Sequence, residues 1–416
     1  MDFTYICSDC GKEYDSSKIV YRCPVCVEST SGLNFQSGNL IVQLDKKQLQ
    51  ELKKSKHVTA FDFFPFTVPT PSAYPVGNTP LVQSPCLSKS YTLKNLRFKI
   101  EGTNPSGSFK DRASQLVAAQ ALAMGEKRVV LASTGNAGSA MACAGAAYGL
   151  DIILFVPETA PVNKLMQSLI YGACVVPIKG TYDDAFALSI EYSEKFGGIN
   201  RNTAYNPITV EGKKSVSIEL FEQLGRKVPD AVYIPAGDGV ILAGVHKGFT
   251  DLQRAGLITH IPKLIGVQAE GSAAISNAFN TGKERLLNSA ETMADSISVA
   301  SPAAGRLAVK ALHESKGWTT IVSDQDISDA QLELAEQAGL FAEPAAAAAW
   351  AGVRTDAEKI KEVLGSEAEV IVLLTGTGFK DMAAFSKRVS LPNAINPSLQ
   401  EAAAFIQEKN LVNLSN

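Results

Sequence analysis

From Val76 onward the chain repeats one pattern: a short apolar run, a turn, then a stretch with helical spacing of its apolar residues. The strand-like runs are Leu96 to Ile100, Arg128 to Ala132, Ile152 to Val156, Cys174 to Ile178, Ala231 to Pro235, Leu264 to Gln268, Thr319 to Val322 and Val370 to Leu374. Runs that are apolar throughout and alternate with helices predict parallel sheets covered on both faces. The predicted class is α/β, two three-layer domains with parallel or mixed sheets. In such sheets ligands bind beyond the carboxyl ends of the strands, so the loops there should carry the chemistry.

Ahead of Val76 the pattern differs. Residues 1–28 hold Cys7, Cys10, Cys23 and Cys26 as C-x2-C, twelve residues, C-x2-C, with Gly11 and Pro24 where tight turns need them. This is the spacing of two knuckles closing a tetrahedral thiolate site, so a small ribbon with one structural zinc is expected. A disulfide pairing competes, but no secretion signal precedes it. Four thiolates leave no open position for catalysis. Cys86, Cys143 and Cys174 sit in apolar surroundings and read as core. Residues 29–75 form a connecting segment: a Ser/Thr/Gly stretch, a helical pattern bearing Lys46, Lys47, Lys53 and Lys54, then an aromatic and proline-rich stretch. Its Phe61, Phe63, Phe64 and Phe66 are expected to cover apolar surface of the main body.

One lysine stands out among the loops. Asn104-Pro105-Ser106-Gly107 reads as a turn, and Ser108 with Asp111 reads as the N-cap pair of the next helix. Lys110 then falls in a helix's first turn, where the positive end of the helix dipole disfavours an ammonium and favours a nucleophilic amine. Taken alone, a solvated lysine in a capped turn is an equal reading. Three loops tip the balance. Ser133, Thr134, Gly135 and Asn136 follow one strand and open onto a helix, a seat for a carboxylate or phosphate. Gly237, Asp238, Gly239 and Val240 follow another, with glycines that let amides approach a phosphate. Thr375-Gly376-Thr377-Gly378 follows a third.

Composition narrows the class. The chain has 416 residues, 45% hydrophobic and 19% charged, with a net charge of −3, which fits a globular protein of two domains plus a small module. Near-balanced charge argues against a nucleic-acid partner, and no apolar run is long enough for a membrane span. A cytoplasmic location is expected. His57, His246, His260 and His313 fall outside the loops, so neither a Ser-His-Asp hydrolase nor a histidine-ligated metal is supported.

The motifs N-P-S-G-S-F-K-D-R, S-T-G-N-A-G, E-G-K-K-S, G-D-G-V and T-G-T-G, in this order, resemble the fold-type II pyridoxal-phosphate enzymes and, within them, the threonine synthase family. The resemblance runs from about Gly77 to near Asp381, and a cysteine ribbon also precedes some threonine synthase-like chains. It implies that Lys110 carries pyridoxal 5'-phosphate as a Schiff base and that Asn136 touches the pyridoxal oxygen. It further implies that Gly237, Asp238, Gly239 and Val240 give amides to the cofactor phosphate and that Thr375 meets the pyridine nitrogen. An uncharged hydroxyl there suits elimination or replacement chemistry. Ser133, Thr134, Gly135 and Asn136 are the candidates for the carboxylate of a small amino-acid substrate, expected to be O-phosphorylated. The implied organisation is a large cofactor domain from residues 76–116 and 206–416, a smaller mobile domain from residues 117–205, and a homodimer as the assembly.

One departure bears on the substrate. The family usually places an arginine shortly before E-G-x-K, and Thr209 stands in that stretch here. Lys213, Lys214 and Arg201 are the cations that could replace it. A serine or threonine dehydratase and a cysteate synthase-like enzyme are the alternatives within the class, and an inactive zinc-ribbon interaction protein is the alternative outside it.

Overall fold

The computed structural model describes all residues except 29–33, 70–73, 386–388, 390 and 409–416; the Ser/Thr/Gly stretch opening at residue 29 and part of the proline-rich stretch lie outside the described residues. Met1–Lys380 forms one unit. Asp381–Asn416 forms a second, which contains the helix Leu399–Glu408.

In the first unit, a three-stranded antiparallel sheet pairs β1 (Phe3–Cys7) with β2 (Glu13–Asp15) and with β3 (Leu40–Leu44). The main sheet has six strands. β4 (Leu81–Gln83) runs antiparallel to β5 (Asn95–Ile100) at one edge. β13 (Glu369–Leu374), β10 (Ala231–Pro235), β11 (Lys263–Ala269) and β12 (Trp318–Val322) follow in parallel. A second sheet of four parallel strands has the order β8 (Cys174–Ile178), β7 (Asp151–Pro157), β6 (Arg128–Ala132), β9 (Ile199–Asn200). The α/β class with parallel and mixed sheets is thus as expected. The apolar runs are all strands of these two sheets; in the central ones burial on both faces leaves no alternation to write into them, while β8 and β12 are partly exposed edges.

Two helices explain how the site is held. Helix Pro344–Leu364 starts with a run from Ala345 to Ala351 that is buried throughout. Small side chains let it lie close on the main sheet: a Cβ at Gly352 would come within 2.5 Å of Val267. Helix Lys110–Ala123 is buried from Asp111 to Ala121, the mark of a helix packed on all sides. It packs against helices Asn136–Tyr148 and Ile208–Lys213, which belong to loops of the two large sheets.

Three local expectations are corrected. Phe63 and Phe64 are buried, but Phe61 is 46% exposed, because it sits on the outer side of the 3-10 turn Ala60–Phe63. Of the three scattered cysteines only Cys143 is core; Cys86 and Cys174 are exposed, one in the first turn of a helix and the other at the start of an edge strand. Ser108 and Asp111 are not an N-cap pair. The helix begins after Phe109, the Ser108 hydroxyl accepts from the Lys110 amide at 3.3 Å, and the Asp111 carboxylate turns back to accept from Ser106.

Candidate active site

The lysine turn is stitched to the loop after β13. Gly107 N donates to Asn104 O at 2.8 Å with Gly107 at φ +87°, so the turn closes as the sequence reads. Phe109 N donates to Thr375 O at 2.8 Å and Thr377 N to Gly107 O at 3.1 Å. Two chain segments far apart in sequence thereby fix Lys110 beside Thr375. The Asp111 carboxylate accepts from Ser106 N (3.1 Å), Ser106 Oγ (2.7 Å) and Tyr74 Oη (2.9 Å). Burial nevertheless pushes it up to about 6.

Lys110 opens into a cavity of about 540 Å³ whose wall also contains residues 133–136, residues 237–240 and Thr375. Every cofactor- and substrate-site candidate from the sequence is therefore brought to one place, at the carboxyl ends of β6, β10 and β13. Burial pushes Lys110 below the ordinary lysine range, Glu343 and Asp238 oppose this, and Arg201 adds to it. Burial pushes Asp238 up, with Lys110 and Lys213 opposing. The four histidines are absent from the wall.

Two helix N-termini with glycine at the N-cap face this cavity. Helix Val240–Arg254 has Gly239 as N-cap at φ +85°, and helix Asn136–Tyr148 has Gly135. A Cβ at Gly239 would lie 2.8 Å from Ala308 Cβ, and one at Gly237 would lie 2.8 Å from Ile297 Cα. Only glycine fits either position. The Ser133 hydroxyl accepts from Gly138 N at 3.0 Å and Gly135 N at 3.3 Å, which shapes its loop and leaves its own proton to donate.

Glu343 is a wall residue that the sequence reading missed. Asn136 Nδ2 donates to its two carboxylate oxygens at 3.2 and 2.9 Å, and Glu343 N donates to Gly376 O at 3.1 Å. A Cβ at Gly376 would come within 2.4 Å of Glu343 Oε1, so that glycine makes room for the carboxylate. Its signal was a single charge ahead of Pro344 and a run of buried alanines. Of the cations named beside the departure, Lys213 lines the cavity, Arg201 is buried behind it, and Lys214 is paired with Asp251 at 2.8 Å and with Glu211.

The cysteines form a separate cluster. The Sγ atoms of Cys7, Cys10, Cys23 and Cys26 all lie within 4.8 Å of one another, with Cys7 and Cys26 at 3.7 Å and Cys10 and Cys23 at 3.8 Å. No disulfide joins them. The ribbon reaches the cavity region through β3: Asn39 Nδ2 donates to Ala204 O at 3.3 Å and Ala303 O at 3.1 Å.

A buried primary amine between two helix N-termini that open on glycine, at the ends of parallel strands, is the arrangement of an enzyme that carries a phosphorylated aldehyde cofactor. Residues 73–376 match the family of pyridoxal-phosphate dependent enzymes. The chain is similar to a threonine synthase of Methanosarcina acetivorans, 32% identical over 90% of this chain and 91% of that protein. It is similar also to one of Halalkalibacterium halodurans, 36% identical over 82% and 94%. A solved structure of the processed form of threonine deaminase isoform 2 from Solanum lycopersicum superposes with a TM-score of 0.64 at 26% identity, covering 74% of this chain and 86% of that one. The chain belongs to the pyridoxal-phosphate-dependent enzymes and, within them, to the threonine synthase family.

The residues present fit the cofactor. The cradle at Gly237 and Gly239 would be filled by any Cβ, and the amides of the following helix have no side chain to cap them, as a phosphate seat requires. Among the described residues no helix is long and apolar enough to cross a membrane.

Proposed function

We propose that this protein converts O-phosphohomoserine and water to threonine and phosphate. One observation carries the reading: Lys110 shares a single cavity with both glycine-opened helix N-termini and with Thr375. Pyridoxal phosphate, when bound, supplies an electron sink for the carbanions that elimination and hydration require. Lys110 would hold it, residues 237–240 would take its phosphate, Asn136 its ring oxygen and Thr375 its ring nitrogen.

The protein's own part is binding and proton transfer. Ser133, Thr134, Gly135 and Asn136, at the start of helix Asn136–Tyr148, would hold the substrate carboxylate. That fixes the α-carbon near Lys110 Nζ. Burial lowers the Lys110 amine below the ordinary lysine range, which favours its free-base form, and here it would take the α-proton, give that proton up, and then take a β-proton. Phosphate leaves from the γ-carbon, which then takes a proton to become the methyl group; water gives its hydroxyl to the β-carbon, and a proton returns to the α-carbon. Water must stay out until then, which is the role we assign to closure of the segment at residues 117–205.

The four cysteines support a structural zinc in the ribbon. Thiolates about 2.3 Å from a tetrahedral metal lie about 3.8 Å apart, which the Cys7–Cys26 and Cys10–Cys23 spacings match. A homodimer remains the expected assembly.

A substrate panel tests the function. O-phosphohomoserine should give phosphate and threonine in equal amounts with little 2-oxobutyrate. No phosphate release, together with rapid ammonia release from serine or threonine, replaces this reading with a dehydratase.

A further inference from the structure

Two cations at the cavity make no ion pair among the described residues; Asp238 acts on Lys213 only at longer range. Lys213 ends helix Ile208–Lys213, lines the cavity, is fully buried, and its Nζ has no hydrogen-bond partner among the described residues. Arg201 is also fully buried. Its Nη1 donates to the cavity-lining Thr203 Oγ1 at 2.7 Å, while Nε and Nη2 have no partner among the described residues. This is not how the chain treats its other buried cations. Lys99 is paired with Glu219 at 2.9 Å, Arg112 with Glu101 and Glu219 at 2.7 Å each, and Lys214, adjacent to Lys213, with Asp251. Buried cations without carboxylates are strongly penalised unless an anion joins them.

The identity of that anion follows from counting the seats. The helix start at residues 237–240 suits the cofactor phosphate, and the one at residues 133–136 suits a carboxylate. A third seat with two positive charges matches a dianion, and a phosphate monoester carries about −1.5 to −2 charges at pH 7. Thr209 cannot serve in this way, because its hydroxyl already donates to Asn206 O at 2.7 Å. Lys213 stands four residues on, one turn further along the same helix face.

We infer that Lys213, with Arg201 behind Thr203, is the seat for the phosphate ester that the substrate carries into the cavity. The inference rests on the proposed reading of a phosphorylated amino-acid substrate. Burial, with Lys110 and Arg201 nearby, pushes Lys213 well below the ordinary lysine range. An arriving dianion reverses that, so binding and protonation of Lys213 reinforce each other.

The test uses cofactor-loaded Lys213→Gln with inorganic phosphate as the probe, its binding followed by quenching of cofactor fluorescence. Steady-state kinetics on O-phosphohomoserine are measured alongside. Phosphate affinity should fall about 10- to 100-fold, the effect of losing a hydrogen bond to a charged group. KM should rise more than kcat falls, and cofactor content should match the wild type. Lys213→Arg should recover part of the phosphate affinity, and Arg201→Gln should weaken it in the same direction even if Lys213→Gln does not fold. Unchanged phosphate binding in both variants overturns the inference. So does loss of the cofactor with phosphate binding intact, which would assign Lys213 to the cofactor's own phosphate. Lys213-dependent phosphate binding in a protein that makes no threonine supports the seat and removes the threonine reading. Threonine formation with an unchanged KM in Lys213→Gln removes the seat and keeps that reading.

Discussion

Replacing Arg112 by methionine removes one charge from a buried set of four. Arg112 lies two residues after Lys110 in the same helix. Its Nε and Nη2 donate to Glu101 at 2.7 and 2.8 Å, and its Nη1 and Nη2 donate to Glu219 at 2.7 Å each. Lys99 supplies the second positive charge, donating to Glu219 at 2.9 Å. Methionine keeps much of the stem's volume. Glu101 is then left with Thr79 Oγ1 and Asn104 Nδ2, both at 2.8 Å, and no cation of its own. Breaking a buried pair from one side costs about 3–5 kcal/mol. In Arg112→Met with Glu101→Gln, Lys99 and Glu219 still balance and no carboxylate is stranded, so about half of that loss should return. The assay is urea unfolding of the cofactor-free protein followed by near-UV circular dichroism. The single variant should shift the midpoint down with little change in slope, and the double variant should lie between it and the wild type. A single variant within about 1 kcal/mol of the wild type, the value of an exposed pair, refutes the reasoning. So does a double variant no more stable than the single, since packing and not charge would then set the cost.

Lys110→Ala should abolish the visible absorbance of the cofactor and the borohydride-trappable adduct while leaving the far-UV spectrum unchanged; a different lysine found modified in the wild type would contradict the assignment. Gly239→Ala should cost about 1–2 kcal/mol for a side chain at φ +85° and about 1–3 more for overpacking against Ala308, with cofactor affinity falling in parallel by equilibrium dialysis. Gly125→Ala, at φ +68° with nothing within 4 Å, should show only the smaller backbone cost, and equal losses at both sites would refute the crowding argument. Protein purified without added metal should contain about one zinc per chain, as one four-thiolate site holds. Chelation should loosen the cofactor through the Asn39 contacts to Ala204 and Ala303, and cofactor affinity unaffected by chelation would break that link.

The long central strands were legible because a strand buried on both faces is apolar throughout, and their observed ends differ from the runs by at most a residue. β4 and β9 were not, since strands of three and two residues are set by the partner's hydrogen bonds and not by a pattern of their own. β3 was hidden for a different reason: Leu40–Leu44 alternates in burial on a sheet whose other strands lie among the cysteines. In the site, the glycine loops and Lys110 could be read because positive φ and helix starts leave local marks. Glu343 and Lys213 could not be placed, because whether a charge faces a cavity or solvent depends on helix rotation. That rotation is fixed by distant contacts, such as Gly244 lying 2.7 Å from Lys213 Cβ by its virtual side chain. Ser108 and Asp111 show the same limit at short range. Their spacing fits a capping pair, but Ser106 offers Asp111 two donors and burial favours that fuller satisfaction.

The helix starts divide by what they are for. Helices Tyr182–Phe196 and Asp324–Ala338, which have no part in the cavity's anion seats, open on complete capping boxes, Thr181 with Asp184 and Ser323 with Asp326. Helices Asn136–Tyr148 and Val240–Arg254 open on glycine and carry no acidic residue in the first turn. A glycine N-cap offers no acceptor of its own: no N-cap side chain serves the first amides of helix Val240–Arg254, and at helix Asn136–Tyr148 Ser133 takes the Gly138 amide alone of the first helical turn. Two such starts share one cavity wall with Lys110 and Lys213, and Arg201 is buried behind it. Four carboxylates, Asp183, Asp238, Asp295 and Glu343, also line the wall. The cofactor's phosphate and the substrate's anions would complete the caps and ion pairs that the fold omits, so ligand binding and stability are coupled at this site. Burial, with Arg201 adding to it and Glu343 and Asp238 opposing, disfavours a proton on Lys110, so the cation proposed for the substrate's phosphate also bears on the reactivity of the amine.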